Sequence, residues 1–283
     1  MCFCLTVLFV VSLVRESTPV VTETAASEQS LQITPGTSMP RQLKGGEKDV
    51  FEVSATEGTL LRFSIEKGDV ALRTELYGPK GANLLEHVSE EFEIVELSVP
   101  ADVSGTYRIE IQSREKADTA SQYKLKVDTL IPITPANRKD SEARHLMASA
   151  GVLRSEWKEA SLRQSIAEYD KAALIWTSLG NRGSASQVTL KSGDVCFLLG
   201  ESAPALRRYQ AAASLAVTVA DPVAKAKAAI RMGRLYSYNG RNDLAQIQLT
   251  KAQNLLGPID ANTNPIVTNT FGGVLSGLAE VTY

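Results

Sequence analysis

The chain has 283 residues, 30 Lys and Arg against 32 Asp and Glu, and 43% hydrophobic residues. A formal net charge of −2 excludes a global basic field for nucleic acid or anionic lipid, so a charged partner must be read by a local patch. The apolar content is that of folded domains, and the length suits two of modest size. Residues 2–14 (CFCLTVLFVVSLV) form one apolar run, too short to span a bilayer comfortably and suited to the core of a signal peptide. No Lys or Arg precedes it, which departs from that pattern. Residues 1–26 are read as a signal-like segment, with Thr24, Ala25 and Ala26 as a candidate cleavage region, and 27–40 as a Ser/Thr/Pro-rich linker. Read as a signal, the segment implies a periplasmic or extracellular protein with no stable membrane span after its removal; otherwise the protein is cytoplasmic.

From 41 to 130 the hydrophobic period is two. Apolar or inward-facing residues alternate with polar ones at Leu61, Phe63 and Ile65, at Leu72, Thr74 and Leu76, at Tyr107, Ile109 and Ile111, and at Tyr123, Leu125 and Val127. Val50 to Val53 opens the series, and Phe92, Ile94 and Val95 form a less regular run. Turn signals at Glu57-Gly58, Lys67-Gly68-Asp69, Gly78-Pro79-Lys80-Gly81 and Ser104-Gly105 separate the runs. Short strands with one wet face predict an antiparallel sandwich.

Gly45-Gly46-Glu47 to Phe51 and Gly58, then Leu76 to Gly81 with Leu84 and Leu85, then Ser104-Gly105-Thr106-Tyr107, and a final Tyr123 to Val127 strand follow one another in this order. That series resembles the bacterial pre-peptidase C-terminal-like (PPC-like) sandwich. The resemblance implies a jelly-roll-type exported accessory domain without catalysis. Some relatives bind calcium through acidic loops; Glu47 and Asp69 are isolated acids and read as solvated turn residues.

After a short linker at 131–139 the period becomes 3.6 and a repeat of 40 residues emerges over 140–283. Tyr169, Tyr209 and Leu249 align, as do Ala172, Ala212 and Ala252, and the small residues Ser165, Ala205 and Ala245. Ile175, Leu215 and Leu255 align, and so do Gly193, Gly233 and Gly273. The unit reads as a helix–turn–helix whose glycine marks the closest approach of its two helices, with turns at Gly200-Glu201 and Gly240-Arg241 and a capped restart at Asp221-Pro222. Leu153 stands where the first unit should carry its small residue, and a fourth unit has only a first helix, about 263–280.

The segments 167–176, 205–215 and 244–256 resemble the second helix of a tetratricopeptide repeat (TPR), and 190–201 and 229–241 the first helix with its turn. The unit exceeds the usual length of about 34 residues, so longer turns between repeats are expected. The fold class is thus multidomain β + α: a PPC-like antiparallel sandwich, then an α-helical TPR solenoid. That order resembles the front half of bacterial CHAT-domain proteins, whose caspase-like protease domain has no counterpart in this sequence. The alternative reading is therefore the regulatory front half of such a protease.

Local catalytic motifs are missing: no GxSxG, no phosphate-binding Gly-rich loop with Lys-Ser/Thr, no HExxH. With Cys2 and Cys4 in the apolar run and two histidines, His87 and His145, no Cys/His cluster has metal-ligand spacing. Cys196 reads as packing, because Tyr236 takes its place one period later. Catalytic residues, metal and cofactor are all read as none, and the chain as a non-enzymatic scaffold for a protein or peptide. The resemblance places Arg154 and Trp157, Asp194 and Phe197, and Arg234 and Tyr238 on the concave peptide groove of the first helices, the arginines for acidic groups and the aromatics as apolar anchors.

Overall fold

The computed structural model describes residues 30–68, 70–89, 94–116 and 119–257, with helical residues 270, 272, 273, 276, 277 and 279 beyond them. The signal-like segment, Asp69, Phe92 and most of the fourth unit lie outside the described residues.

Among the described residues, ten strands build two facing sheets. They are β1 (Leu31–Gln32), β2 (Ser38–Lys44), β3 (Lys48–Ala55), β4 (Thr59–Lys67), β5 (Leu72–Tyr77), β6 (Asn83–Val88), β7 (Val95–Ala101), β8 (Gly105–Ser113), β9 (Ala120–Val127) and β10 (Ile131–Pro132). One sheet runs β1-β3-β8-β5-β6; the other runs β10-β4-β9-β2, with β7 on the free side of β4. Apart from the short parallel pairing of β1 with β3, every pairing is antiparallel. Leu61, Phe63, Ile65, Leu72, Leu76, Ile109, Ile111, Leu125 and Val127 fill the space between the sheets, as their alternation predicts. In β7 the inward residues are Val95, Leu97 and Val99, while Ile94 is exposed and precedes the strand. Asp49 on β3 ties the sheets together: it accepts two hydrogen bonds from Arg41 on β2, at 3.0 and 2.6 Å, and one from the Tyr123 hydroxyl on β9, at 2.6 Å. Burial, and then Asp49 itself, push the Tyr123 phenol far above its ordinary range.

Two boundaries differ from the sequence reading. The expected linker 27–40 holds β1 and the start of β2, so the sandwich begins at Leu31. The expected linker 131–139 is absorbed as well. Ile131 and Pro132 pair with β4, and helix α1 starts at Pro135, capped by Thr134 and Asn137 in reciprocal hydrogen bonds.

Six continuous helices follow among the described residues: α1 (Pro135–Ser155), α2 (Glu159–Ser178), α3 (Arg182–Leu198), α4 (Ser202–Thr218), α5 (Pro222–Tyr238) and α6 (Asn242–Leu256). Each packs on the next. Helix α1 also lies against β6 and β7, which are the edge strands of the two sheets. It closes the open side of the sandwich, covers edges that would otherwise invite foreign strands, and places Ala148 in the sandwich core.

The joint is polar as well as apolar. The Ser141 hydroxyl donates to the Ser98 carbonyl at 2.6 Å. Arg144 donates to the Glu96 carbonyl at 3.2 Å and carboxylate at 2.9 Å. Asp140 accepts from Arg144 at 2.9 Å and from the Trp176 indole of α2 at 2.8 Å, and Arg62 of β4 stands 3.9 Å away. Burial pushes the Asp140 carboxyl up, yet hydrogen bonds from Arg144 and Trp176 and the nearby Arg62 charge outweigh it and hold the group below its ordinary 3.8.

The helical turns correct a second expectation. Each turn between α1 and α6 has three residues, centred on Trp157, Gly180, Gly200, Ala220 and Gly240, and each central residue has positive φ. The turns are tight; the long repeat comes instead from helices of 17 residues in α3, α4 and α5. The glycines at the helix contacts act as expected. A Cβ at Gly193 would sit 2.6 Å from the Tyr209 ring, and one at Gly233 would sit 2.8 Å from Leu249. In the first pair the small contact residue is Ala150, not Leu153: Ala150 is fully buried and its carbonyl accepts the Ser165 hydroxyl at 2.7 Å. The register slips because α2, at 20 residues, is three longer than α3–α5.

Two outcomes test this packing. Gly193→Ala forces the Tyr209 ring aside and is expected to cost about 1–3 kcal/mol, whereas Ala220→Gly relieves a left-handed alanine (φ 52°) and is expected to gain about 0.5–1 kcal/mol. Urea unfolding followed by far-ultraviolet circular dichroism reads both.

The depressed Asp140 carboxyl stabilises the fold fully above its ordinary value, and that contribution is lost as pH falls through its lower folded value. Asp140→Asn is therefore expected to cost about 2 kcal/mol near neutral pH and to flatten the acid limb of stability, measured by urea unfolding across the acid range.

Candidate functional site

Three-residue turns make consecutive helices antiparallel, so the C-terminal ends of α1, α3 and α5 share one edge of the array; α3 and α5 also touch directly. All six expected groove residues lie in the last turns of α1, α3 and α5 or in the turn after α1, and they fall into three situations.

Asp194 is consumed by the fold. It accepts the Tyr209 hydroxyl of α4 at 3.0 Å and Arg231 Nε of α5 at 2.9 Å, so it joins three consecutive helices. Burial and then Asp194 push the Tyr209 phenol far upward. Burial lowers the Arg231 pKa, but the Asp194 charge outweighs it and leaves the guanidinium raised. One helix earlier, Asp170 of α2 accepts Ser192 of α3 at 2.8 Å and Arg208 of α4 at 2.7 Å. Both carboxylates tie neighbouring helices together.

Phe197 and Tyr238 meet edge to face, ring centroids 5.3 Å apart at 80°. Phe197 is half-buried, while Tyr238 remains 73% exposed. Arg234, one turn before Tyr238, is exposed on the same helix.

Trp157 does not sit on a helix. It occupies the centre of the α1–α2 turn, where Gly200 and Gly240 stand in later turns, with φ 56° and 70% of its surface exposed. A bulky aromatic in the left-handed region is a strained choice. Arg154, in the last turn of α1, is half-buried beside it.

Arg154 and Trp157 also border a cavity of about 180 Å³ between the sandwich and the helices. His87 of β6, Arg114 just after β8, Tyr169 of α2 and Lys191 of α3 join them there. No local sequence signal predicts this meeting, because the residues come from both halves of the chain. Cys196 is 1% exposed among Ala205, Ala212 and Tyr209, and burial pushes its thiol upward, as suits a packing residue. His145 is exposed on α1. Among the described residues, no helix is long and apolar enough to cross a membrane.

No protein-family model and no curated protein matches the chain. Among solved structures, it is similar to the pre-peptidase C-terminal domain of a Bacillus anthracis collagenase, with 16% identity over 36% of this chain and 96% of that one, TM-score 0.32. It is also similar to PliG of Salmonella Typhimurium, a periplasmic inhibitor of g-type lysozyme (18% identity, 36% and 98% of the two chains, TM-score 0.28). PliG of Aeromonas hydrophila stands at 14% identity, 36% and 100% coverage, and a TM-score of 0.26. Such low identities and scores decide nothing about function, and the sandwich rests on its own strand pairing.

Because Asp194 neutralises Arg231 and satisfies Tyr209, Asp194→Ala is expected to destabilise the helices by about 2–3 kcal/mol. Chemical denaturation checks this, and a stability equal to the parent's would return Asp194 to the list of free binding groups.

Proposed function

We propose that the helical half is a TPR-type scaffold that captures a peptide or protein segment along the edge formed by the ends of α1, α3 and α5, with no chemistry of its own. One observation carries the reading: Trp157 is held at positive φ and left 70% exposed at a turn position that glycine or alanine fills in the other described helical turns. Backbone strain of this kind persists where function uses it. Glycine there would fold more easily but would supply no anchor.

Further support comes from Tyr238, the second large aromatic left in water at this edge, which Phe197 holds in place. Exposed, rigid aromatics supply contact area at low entropic cost, as interface anchors do. Arg154 and Arg234 add cationic groups near the two aromatics, which favours a segment with apolar side chains and carboxylates. In this reading the sandwich is a PPC-like accessory module, and the apolar run 2–14 directs the protein to an exported location.

The chain has two tryptophans, and Trp176 is buried, so fluorescence of Trp157 reports ligand arrival directly. Fluorescein-labelled peptides selected from a displayed library would be titrated by anisotropy against the parent, Trp157→Gly and Tyr238→Ala, a readout that survives loss of the indole. Trp157→Gly is expected to leave the fold as stable or more stable and to weaken binding about tenfold or more. Tyr238→Ala is expected to weaken the same peptides. A loss of stability in Trp157→Gly with binding unchanged would reverse the assignment and make Trp157 a structural residue.

A further inference from the structure

The docking edge carries a ladder of apolar side chains with a fixed step. Leu198 and Tyr238 are the last residues of α3 and α5, stand one 40-residue unit apart in the chain, and are both exposed. Trp157, in the turn after α1, is the rung before them. Helices α3 and α5 touch, and the Phe197 and Tyr238 rings join their ends with centroids 5.3 Å apart. Packed helices lie about 8–10 Å apart, which sets the step from Leu198 to Tyr238. A segment docked along the ladder must bring an apolar side chain to one face at that step. A strand does so about every 6.7 Å and an α-helix about every 5.4 Å. A polyproline II helix does so at every third residue, about 9.3 Å, and matches the ladder.

The polar groups of the edge point to the same kind of chain. Among the described residues, no hydrogen bond or ion pair engages the Trp157 indole N–H, the Tyr238 hydroxyl or the Arg234 guanidinium. The carboxylates nearby are taken: Asp194 by Tyr209 and Arg231, Glu156 by Ser161, and Glu201 by Arg163. The edge therefore offers mainly donors. A proline-rich segment is the complement, because polyproline II makes no internal hydrogen bonds, so its carbonyls are bare, and proline has no N–H to satisfy. Its backbone is ordered before docking, so little entropy is lost against aromatic anchors. We propose that the segment captured here is a proline-rich chain in the polyproline II conformation. An apolar side chain at every third position seats on Trp157, Leu198 and Tyr238, and its carbonyls accept from Arg234 and the Trp157 indole. The inference rests on the scaffold function proposed above and names its ligand class.

The test uses the whole chain and fluorescein-labelled synthetic peptides of equal length, read by anisotropy. One peptide repeats Pro-Pro-Leu, one has the same composition with its leucines grouped, and one repeats Gly-Gly-Leu. The Pro-Pro-Leu peptide is expected to bind saturably and about tenfold or more tighter than the other two. Leu198→Ser and Tyr238→Ala are each expected to weaken it about tenfold, and Arg234→Gln about threefold. Should Leu198→Ser disturb α3, seen by circular dichroism, Tyr238→Ala decides the matter at the next rung. Equal binding of the three peptides, or Pro-Pro-Leu binding that ignores both rung variants, overturns the proposal. If library-selected peptides depend on Tyr238 while Pro-Pro-Leu does not bind, the ligand class fails and the scaffold function stands. If no peptide of any kind depends on Tyr238, both fail.

Discussion

Asp140 holds the two halves of this protein in one frame. Its carboxylate accepts from Arg144 on its own helix and from the Trp176 indole on the next, and faces Arg62 on the sheet. Each contact belongs to a different layer, so the position of α2 relative to the sandwich is set through one side chain. The cost of burying that charge is met by hydrogen bonds in place before any ligand arrives, which is what makes a largely buried ion pair tolerable. Ser141 and Arg144 extend the joint along β7, and Ala148 enters the sandwich core. The sandwich therefore lacks one wall without α1, and α1 lacks a partner on one face without the sandwich.

From that anchor the array propagates by a local rule. Seventeen-residue helices and three-residue turns return the chain to an equivalent place every 20 residues, as the left-handed positions at Gly180, Gly200, Ala220 and Gly240 mark. Carboxylate ties climb the same steps: Asp170 links α2 to α4, and Asp194 links α3 to α5. These ties reach past the nearest neighbour. They set how far each helix pair rotates on the next, which the small apolar contacts of Ala and Gly leave loosely specified.

Much of this was legible from spacing alone. Strand alternation at Leu61 to Ile65 and Tyr107 to Ile111 matched the buried pattern, because a one-residue shift would turn each core set to water. The glycine contacts at Gly193 and Gly233 followed from the 40-residue offset. Strands β1 and β2 were not legible: edge strands expose most of their residues, and Leu43 is the one fully buried side chain in β2. The 40-residue offset also failed at the first unit, where the longer α2 moves the small contact from the position of Leu153 to Ala150 and shifts Trp157 off its helix. A period read from later units carries no information about a length change at the first turn. The junction cavity was invisible for a simpler reason, since His87 and Lys191 lie more than a hundred residues apart in the chain.

The irregular first turn is where the two halves and the candidate site coincide. Later turns take a glycine or alanine at the left-handed position and present nothing there to solvent. At the turn nearest the sandwich the chain places its most awkward residue for that conformation, beside Arg154 and at the mouth of a cavity the sandwich helps to build. Strain, exposure and the extra length of α2 meet at one point, and nothing in the packing of helices calls for a tryptophan there. A scaffold made only to stack helices would have repeated its glycine, and on the proposed reading this departure from the period is where the docking edge begins.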